Sequence, residues 1–281
     1  MSCPPPTLLD TADEDAPGAA ELPVQVDSDS DAADADGPAA ELAAGALLQD
    51  HAAPHLEKVV EALRYLDVDA PVRGEQGGSL SFGAYVHVRA GVRALSRVYP
   101  TLTRLLTRVL RHHFPGDTFT TLVVNFDVCA APHRDQQNSW LPSLLLPLTQ
   151  FVGGGIWVES PTGLETRIFR GRRVLGAVAP LRGPTRLSAR SLLHATEPWQ
   201  GSRVLLVGFH LAGFRTLQLQ DRAYLQQLGF LFPDEEQERR AMLSRWTPHG
   251  TQVQQALPCS APKWPVGKLR HGCGPDVYYI D

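Results

Sequence analysis

The chain has 281 residues, 43% of them hydrophobic, with 26 basic against 30 acidic side chains, enough for one large domain or two small ones with a core. Charge is unevenly placed: residues 1–50 hold twelve Asp or Glu and no Lys or Arg, which leaves 26 basic and 18 acidic side chains in 51–281, a net of +8. No apolar run reaches membrane-spanning length, the amino terminus MSCPPPTLLD lacks a signal-peptide pattern, and four scattered cysteines without a C-x-x-C pair exclude a disulfide framework. A soluble intracellular protein with free thiols is the expectation.

In chain order, residues 1–50 are acidic and rich in Ala, Pro, Ser and Gly, with few residues able to repay the entropy of ordering; they read as a disordered tail. It is a solvated spacer or an internal mimic of a polyanion lying on the basic body. Residues 51–78 form a helical lead-in, with helical periodicity in EKVVEALRYL before a Gly-rich break. SLSFGAYVHV then alternates as a strand, and Leu102, Leu105, Leu106, Val109 and Leu110 recur on one face of a helix between Pro100 and Pro115.

From Thr118 to His210 the texture turns to short β-like pieces separated by VGGG, SPTG, PLRGP and PWQG. Six to eight such strands in 79–214 predict an antiparallel sandwich or barrel, so the fold class is mainly β with flanking helices, α+β. Residues 215–250 read as a helical carboxy-terminal extension, and 251–281 as an irregular tail.

The segment CAAPHRDQQNSWLP follows the predicted strand FTTLVVNF and puts His133 and Asp135 two positions apart, so both point to one side of a sheet. An H-x-D pair alone is weak evidence. Here it is followed by the glycine turn of FVGGGIWVE and later by LLHATEPWQGSRVLLVGF, which adds His194 in a β-like run and Arg203 nine residues on. Two His and one carboxylate on one face of a metal leave three positions open, which suits non-haem Fe(II). Arg203, predicted on a strand pairing with that of His194, has the planar fork to grip a co-substrate carboxylate, unless it pairs with Glu197 across the turn.

Asn125 and Asn138 flank the H-x-D pair as candidate donors to a co-substrate or substrate, with turn stabilisation as the alternative. Cys259, His271 and Cys273 lack a fourth zinc ligand and read as loop residues.

With H-x-D, glycine hairpin, distal His and Arg in this order, Ser79 to Phe214 resembles the Fe(II)/2-oxoglutarate-dependent dioxygenase superfamily. The resemblance implies a double-stranded β-helix, or jelly roll, with His133, Asp135 and His194 as iron ligands and Arg203 against the distal carboxylate of 2-oxoglutarate. It implies oxidation of a substrate C–H bond, with ascorbate as a reductant. HRDQQN and LHATEPWQGSR are most similar to the TET/JBP nucleobase oxygenases and to related proteins carried by retroelements. RLSARSLL departs from the family, which often has an aromatic residue near the end of this strand. The alternatives are a non-catalytic oxygenase-like module of retroelement origin and a cupin-type metalloenzyme, which needs no Arg203. The basic body fits nucleic acid as a partner, and a nuclear location would follow from it.

Overall fold

The computed structural model describes residues 37–50, 55–66, 76–244 and 253–255. The acidic stretch 1–36 and the Cys259, His271 and Cys273 group lie outside the described residues. Two antiparallel sheets face each other. The larger has seven strands in the order β13-β9-β4-β12-β3-β1-β2, and the smaller has four in the order β10-β6-β8-β7. Their ranges are β1 Gln76–Val86, β2 Ala90–Val92, β3 Thr121–Cys129, β4 Ser143–Pro147, β6 Ile156–Glu159, β7 Glu165–Phe169, β8 Arg172–Ala179, β9 Thr185–Leu187, β10 His194–Thr196, β12 Val204–Phe209 and β13 Val253–Gln255. A two-stranded piece pairs β5 (Val152–Gly153) with β11 (Trp199–Gln200).

Alternation on the larger sheet sorts its side chains. Leu122, Val124, Leu144, Leu146 and Leu206 pack outward with Leu102, Leu105, Leu106 and Val109 of helix α4 (Pro100–His113) in the main core. Leu145, Leu205 and Val207 turn inward and meet Ile156 and Val158 of the smaller sheet, forming a second core between the sheets.

The flanking helices are α1 (Gly37–Gln49), α2 (Leu56–Leu63), α3 (Ala94–Val98), α4, α5 (Leu219–Gln227) and α6 (Glu235–Ser244). Helix α1 corrects the expected disorder at Gly37–Gln49 alone, because α4 caps it and is capped in return. The Glu41 carboxylate accepts the N–H groups of Thr101 and Leu102 at 3.0 and 2.8 Å, at the α4 amino terminus, where Pro100 leaves no donor of its own. Arg108 of α4 donates to the carbonyls of Leu48 and Asp50 at 3.0 and 2.6 Å, at the end of α1. Two further corrections concern the other end of the chain and the thiols. Val253–Gln255, expected to be irregular, pair with β9, and Cys129 is in a disulfide instead of free.

Candidate metal centre

Strand β3 has an irregularity at Asp127, whose backbone is left-handed (φ 52°), pairs with β1 again at Cys129, and the chain then joins the edge of the smaller sheet. There His133 and His194 exchange backbone hydrogen bonds, each 3.0 Å long, and the Asp135 N–H donates to the Ala189 carbonyl at 3.0 Å. The pairing brings His133, Asp135 and His194 together. Their ligand atoms all lie within 4.8 Å of one another, and this is the one such group among the described residues. His194 is buried, while His133 and Asp135 are half-buried, so the group opens to solvent on one side.

Both imidazoles are oriented by the same device. His133 Nδ1 lies 2.8 Å from the Ala131 carbonyl and His194 Nδ1 lies 2.9 Å from the Leu192 carbonyl, in each case two residues back. A carbonyl only accepts, so each Nδ1 carries the proton and each Nε2 presents a lone pair. The His133 Nε2 faces the Asp135 Oδ1 at 3.4 Å, two electron-rich atoms that a proton or a cation must bridge. Burial lowers the pKa of His194, assisted by the neighbouring His133 charge and only partly opposed by the Leu192 carbonyl and Asp135; the ring is therefore neutral and available as a ligand. Burial pushes the Asp135 carboxyl up, but the adjoining His133 and His194 rings and the Asn138 amide outweigh it and hold it below the usual range.

Asn138, which sequence placed near the co-substrate, donates to Asp135 Oδ2 at 3.1 Å and lies 3.4 Å from Ser143 Oγ. It orients the carboxylate, as an outer partner of a metal ligand does. The loop carrying it is pinned on two sides. Ser139 and Ala212 donate N–H groups to the carbonyls of His210 and Gln137 at 2.7 Å, and Arg190 donates to the carbonyls of Gln136 and Asn138. Asn125 lies beside Leu205 on the inward face of β3, where its Oδ1 accepts from Ser79 Oγ at 2.8 Å.

Arg203 is 2% exposed, yet it does not stand on a strand beside that of His194. It precedes β12, which pairs with β3 and β4 in the larger sheet, whereas His194 pairs with β6 in the smaller one. The turn between them crosses from one sheet to the other, so the two side chains approach from opposite walls. Nor does Glu197 hold Arg203, because Glu197 binds Arg167 at 2.8 Å.

The Arg203 guanidinium lies 5.5 Å from both the Phe151 and the Trp199 ring centroids. Its Nε donates to the Gly154 carbonyl at 3.3 Å and its Nη1 to that of Val128 at 3.5 Å, while Nη2 is buried without an acceptor. The Gly153–Gly154 turn (φ 79° and 62°) allows this approach; a Cβ at Gly154 would meet the Phe151 ring at 2.8 Å. Burial draws the Arg203 pKa down to about 10, against the opposing Asp127 charge. Trp199 Nε1 is likewise buried without an acceptor. The sequence reading missed Phe151 and Trp199; the signal was their place beside the glycine turn and the PWQG turn. A buried cation with an orphaned N–H beside a second orphaned donor fits an anionic group.

No family model matches the chain, and no curated protein matches it in sequence. Among solved structures it is similar to a prolyl-4-hydroxylase from Pseudomonas putida, with 14% identity, 63% of this chain and 90% of that one covered, and a TM-score of 0.30. It is also similar to procruciferin, an 11S globulin from Brassica napus (11% identity, 69% and 40% covered, TM-score 0.25), and to E. coli ycfD (17% identity, 55% and 47% covered, TM-score 0.24). The chain spans under half the length of the latter two. Likeness at this level carries no argument about activity, which rests on the side chains described above.

Proposed function

We propose that the chain is an Fe(II)- and 2-oxoglutarate-dependent oxygenase on a double-stranded β-helix, acting on a substrate C–H bond. One observation carries this: a His-Asp-His group with both Nε2 lone pairs presented stands on one wall, and a buried arginine with an unclaimed donor stands on the other. The strand orders β9-β4-β12-β3 and β10-β6-β8, with the His133 segment beside β10, support the jelly-roll reading.

The residues fit both groups. His133, Asp135 and His194 offer two neutral nitrogens and one carboxylate, the donor set that suits Fe(II) with three positions left open. Arg203 Nη2 offers the distal carboxylate of the co-substrate a charged donor that is already buried. Bound together, iron and the 2-oxo acid supply O2 activation coupled to decarboxylation to succinate and CO2. The chain's own contribution is positional. The Ala131 and Leu192 carbonyls fix the imidazole tautomers, Asn138 fixes the carboxylate, Phe151 and Trp199 hold the guanidinium in a fixed plane, and ascorbate serves as external reductant. A cupin-type metal site makes no use of the Arg203 donor.

Calorimetric titration of 2-oxoglutarate into the anaerobic, iron-loaded protein tests the reading. Arg203→Ala is expected to keep iron and weaken 2-oxoglutarate by about two to four orders of magnitude, the equivalent of about 3–5 kcal/mol for one member of a buried pair, with Arg203→Lys recovering part. Asp135→Ala is expected to lose iron by elemental analysis. Unchanged 2-oxoglutarate affinity in Arg203→Ala would sink the co-substrate assignment, and unchanged iron content in Asp135→Ala would sink the metal centre.

A further inference from the structure

The carbonyls that orient the two imidazoles belong to peptide groups that are held differently. For His133 the group is Ala131–Pro132, which has no N–H and is stiffened by the proline ring. For His194 it is Leu192–Leu193, a planar trans unit whose C=O and N–H point in opposite directions. Its carbonyl lies 2.9 Å from His194 Nδ1, and its N–H donates to Glu159 Oε2 at 3.0 Å.

Glu159 ends β6, and its own N–H donates to the Leu193 carbonyl at 2.8 Å. It follows Val158, which faces the opposite sheet, so its side chain stands on the outer face with Trp157. The oxygen that receives Leu193 also accepts from Arg134 Nη2, and Arg134 Nε donates to the Ser191 carbonyl at 2.9 Å. The Arg134 guanidinium lies 6.0 Å from the Phe169 ring centroid. Because Arg134 stands between His133 and Asp135, it ties the segment carrying those two residues to β6 and to the turn before His194. One carboxylate oxygen thus joins both ligand-bearing segments.

We propose that Glu159, held by Arg134, is a positioning residue for the metal centre: it fixes the Leu192–Leu193 peptide and, through it, the His194 ring with Nδ1 protonated and Nε2 presented. A carboxylate that accepts from a peptide N–H polarises the amide and strengthens its carbonyl as an acceptor. The result is the carboxylate–histidine pairing found around bound metals, with one peptide group interposed. The Arg134 and Glu159 side chains are 31% and 32% exposed, so their ion pair adds little to global stability and its effect is to be read at the ring. The orientation of His194 stands on these hydrogen bonds alone; its consequence for iron rests on the oxygenase reading above.

Two measurements on the full chain test the role of Glu159. In the metal-free protein at about pH 8, where imidazoles are neutral, nitrogen-15 NMR reads the His194 tautomer. The parent is expected to show Nδ1–H alone and Glu159→Leu a mixture, with Arg134→Met shifted less in the same direction. Glu159→Gln keeps an acceptor for the Leu193 N–H and is expected to keep the parent's tautomer. In the second measurement Co(II) is titrated into each protein and followed by its visible absorption. Glu159→Leu is expected to weaken Co(II) about tenfold, the low end for a partner one step removed from the ligand, and to alter the spectrum at saturation. Circular dichroism that matches the parent's shows that each variant is folded. A merely structural pair would lower the urea midpoint and leave the tautomer and the saturated spectrum unchanged. The proposal is overturned by a mixture already present in the parent, by Glu159→Leu matching the parent in tautomer or in Co(II) binding, or by Glu159→Gln faring no better than Glu159→Leu. A parent that binds no Co(II) overturns the metal centre itself, and the tautomer measurement then still decides whether Glu159 orients His194.

Discussion

The two sheets are both built from short apolar strands, yet their outer faces meet different fates. On the larger sheet Leu122, Val124, Leu144, Leu146 and Leu206 vanish beneath α4, which α1 backs in turn. On the smaller one Trp157 is buried with Phe169 and Val174 while the Arg167 guanidinium lies 5.8 Å over its ring, and the β7–β8 hairpin stands in solvent. Arg203 is carried into the larger, heavily packed sheet, whereas the three candidate ligands belong to the thin one. The thin wall holds its imidazoles through backbone pairing and carbonyl contacts, which need little core. A buried guanidinium needs the thick one, where aromatic rings and neighbouring strands keep water away.

The comparison breaks first on stability. Leu206→Ala, fully buried on β12 in the core shared with α4, is expected to cost about 2–5 kcal/mol, while Leu175→Ala on the hairpin should stay within about 0.5 kcal/mol. Urea unfolding of both variants checks it, and equal costs would show that the two walls are equally packed.

A sharper probe is pH, because the thick wall ends in a buried histidine. His210 follows β12 and lies 3.2 Å from Thr120 Oγ1 and 3.0 Å from Thr118 Oγ1; burial, opposed only by the Thr118 hydrogen bond, drags its pKa from 6.5 to about 3. The unfolded chain protonates this ring below 6.5 and the folded chain does not. Its contribution is therefore fully present above pH 6.5 and is lost as pH falls toward 3, at about 1.4 kcal/mol per pH unit. Unfolding free energies of the parent and His210→Gln, measured from pH 7 to 4, should converge as pH falls. Parallel profiles would mean that the ring is not held neutral.

The smallest expected effect concerns the outermost layer of the thick wall. Glu41→Ala removes the acceptor for the Thr101 and Leu102 N–H groups and should cost about 1 kcal/mol, visible as a lower urea midpoint. No shift would mean that α1 contributes nothing to the covered face.

Read from residues, the strands with one buried face were legible. SLSFGAYVHV and FTTLVVNF, read as strands, overlap β1 (Gln76–Val86) and β3 (Thr121–Cys129), and the helix expected between Pro100 and Pro115 is α4 (Pro100–His113). Strand β7 carries no such signal, because neither of its faces is fully buried and ETRIF shows no apolar alternation. Helix α1 was missed for a different reason. Its composition alone argues for disorder, and the carboxylate and guanidinium caps that hold it depend on α4, some sixty residues away in sequence.

The same division runs through the candidate site. His133 and Asp135 were bound to share a direction, because i and i+2 on an extended chain always do, and the local carbonyls of Ala131 and Leu192 meet both rings. Sequence therefore determined the types of the candidate ligands and their common direction. Which wall each residue stands on was beyond it: the turn after His194 fits a simple hairpin as well as a crossover, and only pairing of β12 with β3 and β4 carries Arg203 to the opposite sheet. Local alternation is fixed by backbone geometry, whereas the partner of a strand is chosen by long-range burial. The orphaned donors of Arg203 and Trp199 exist only once that burial has closed around them.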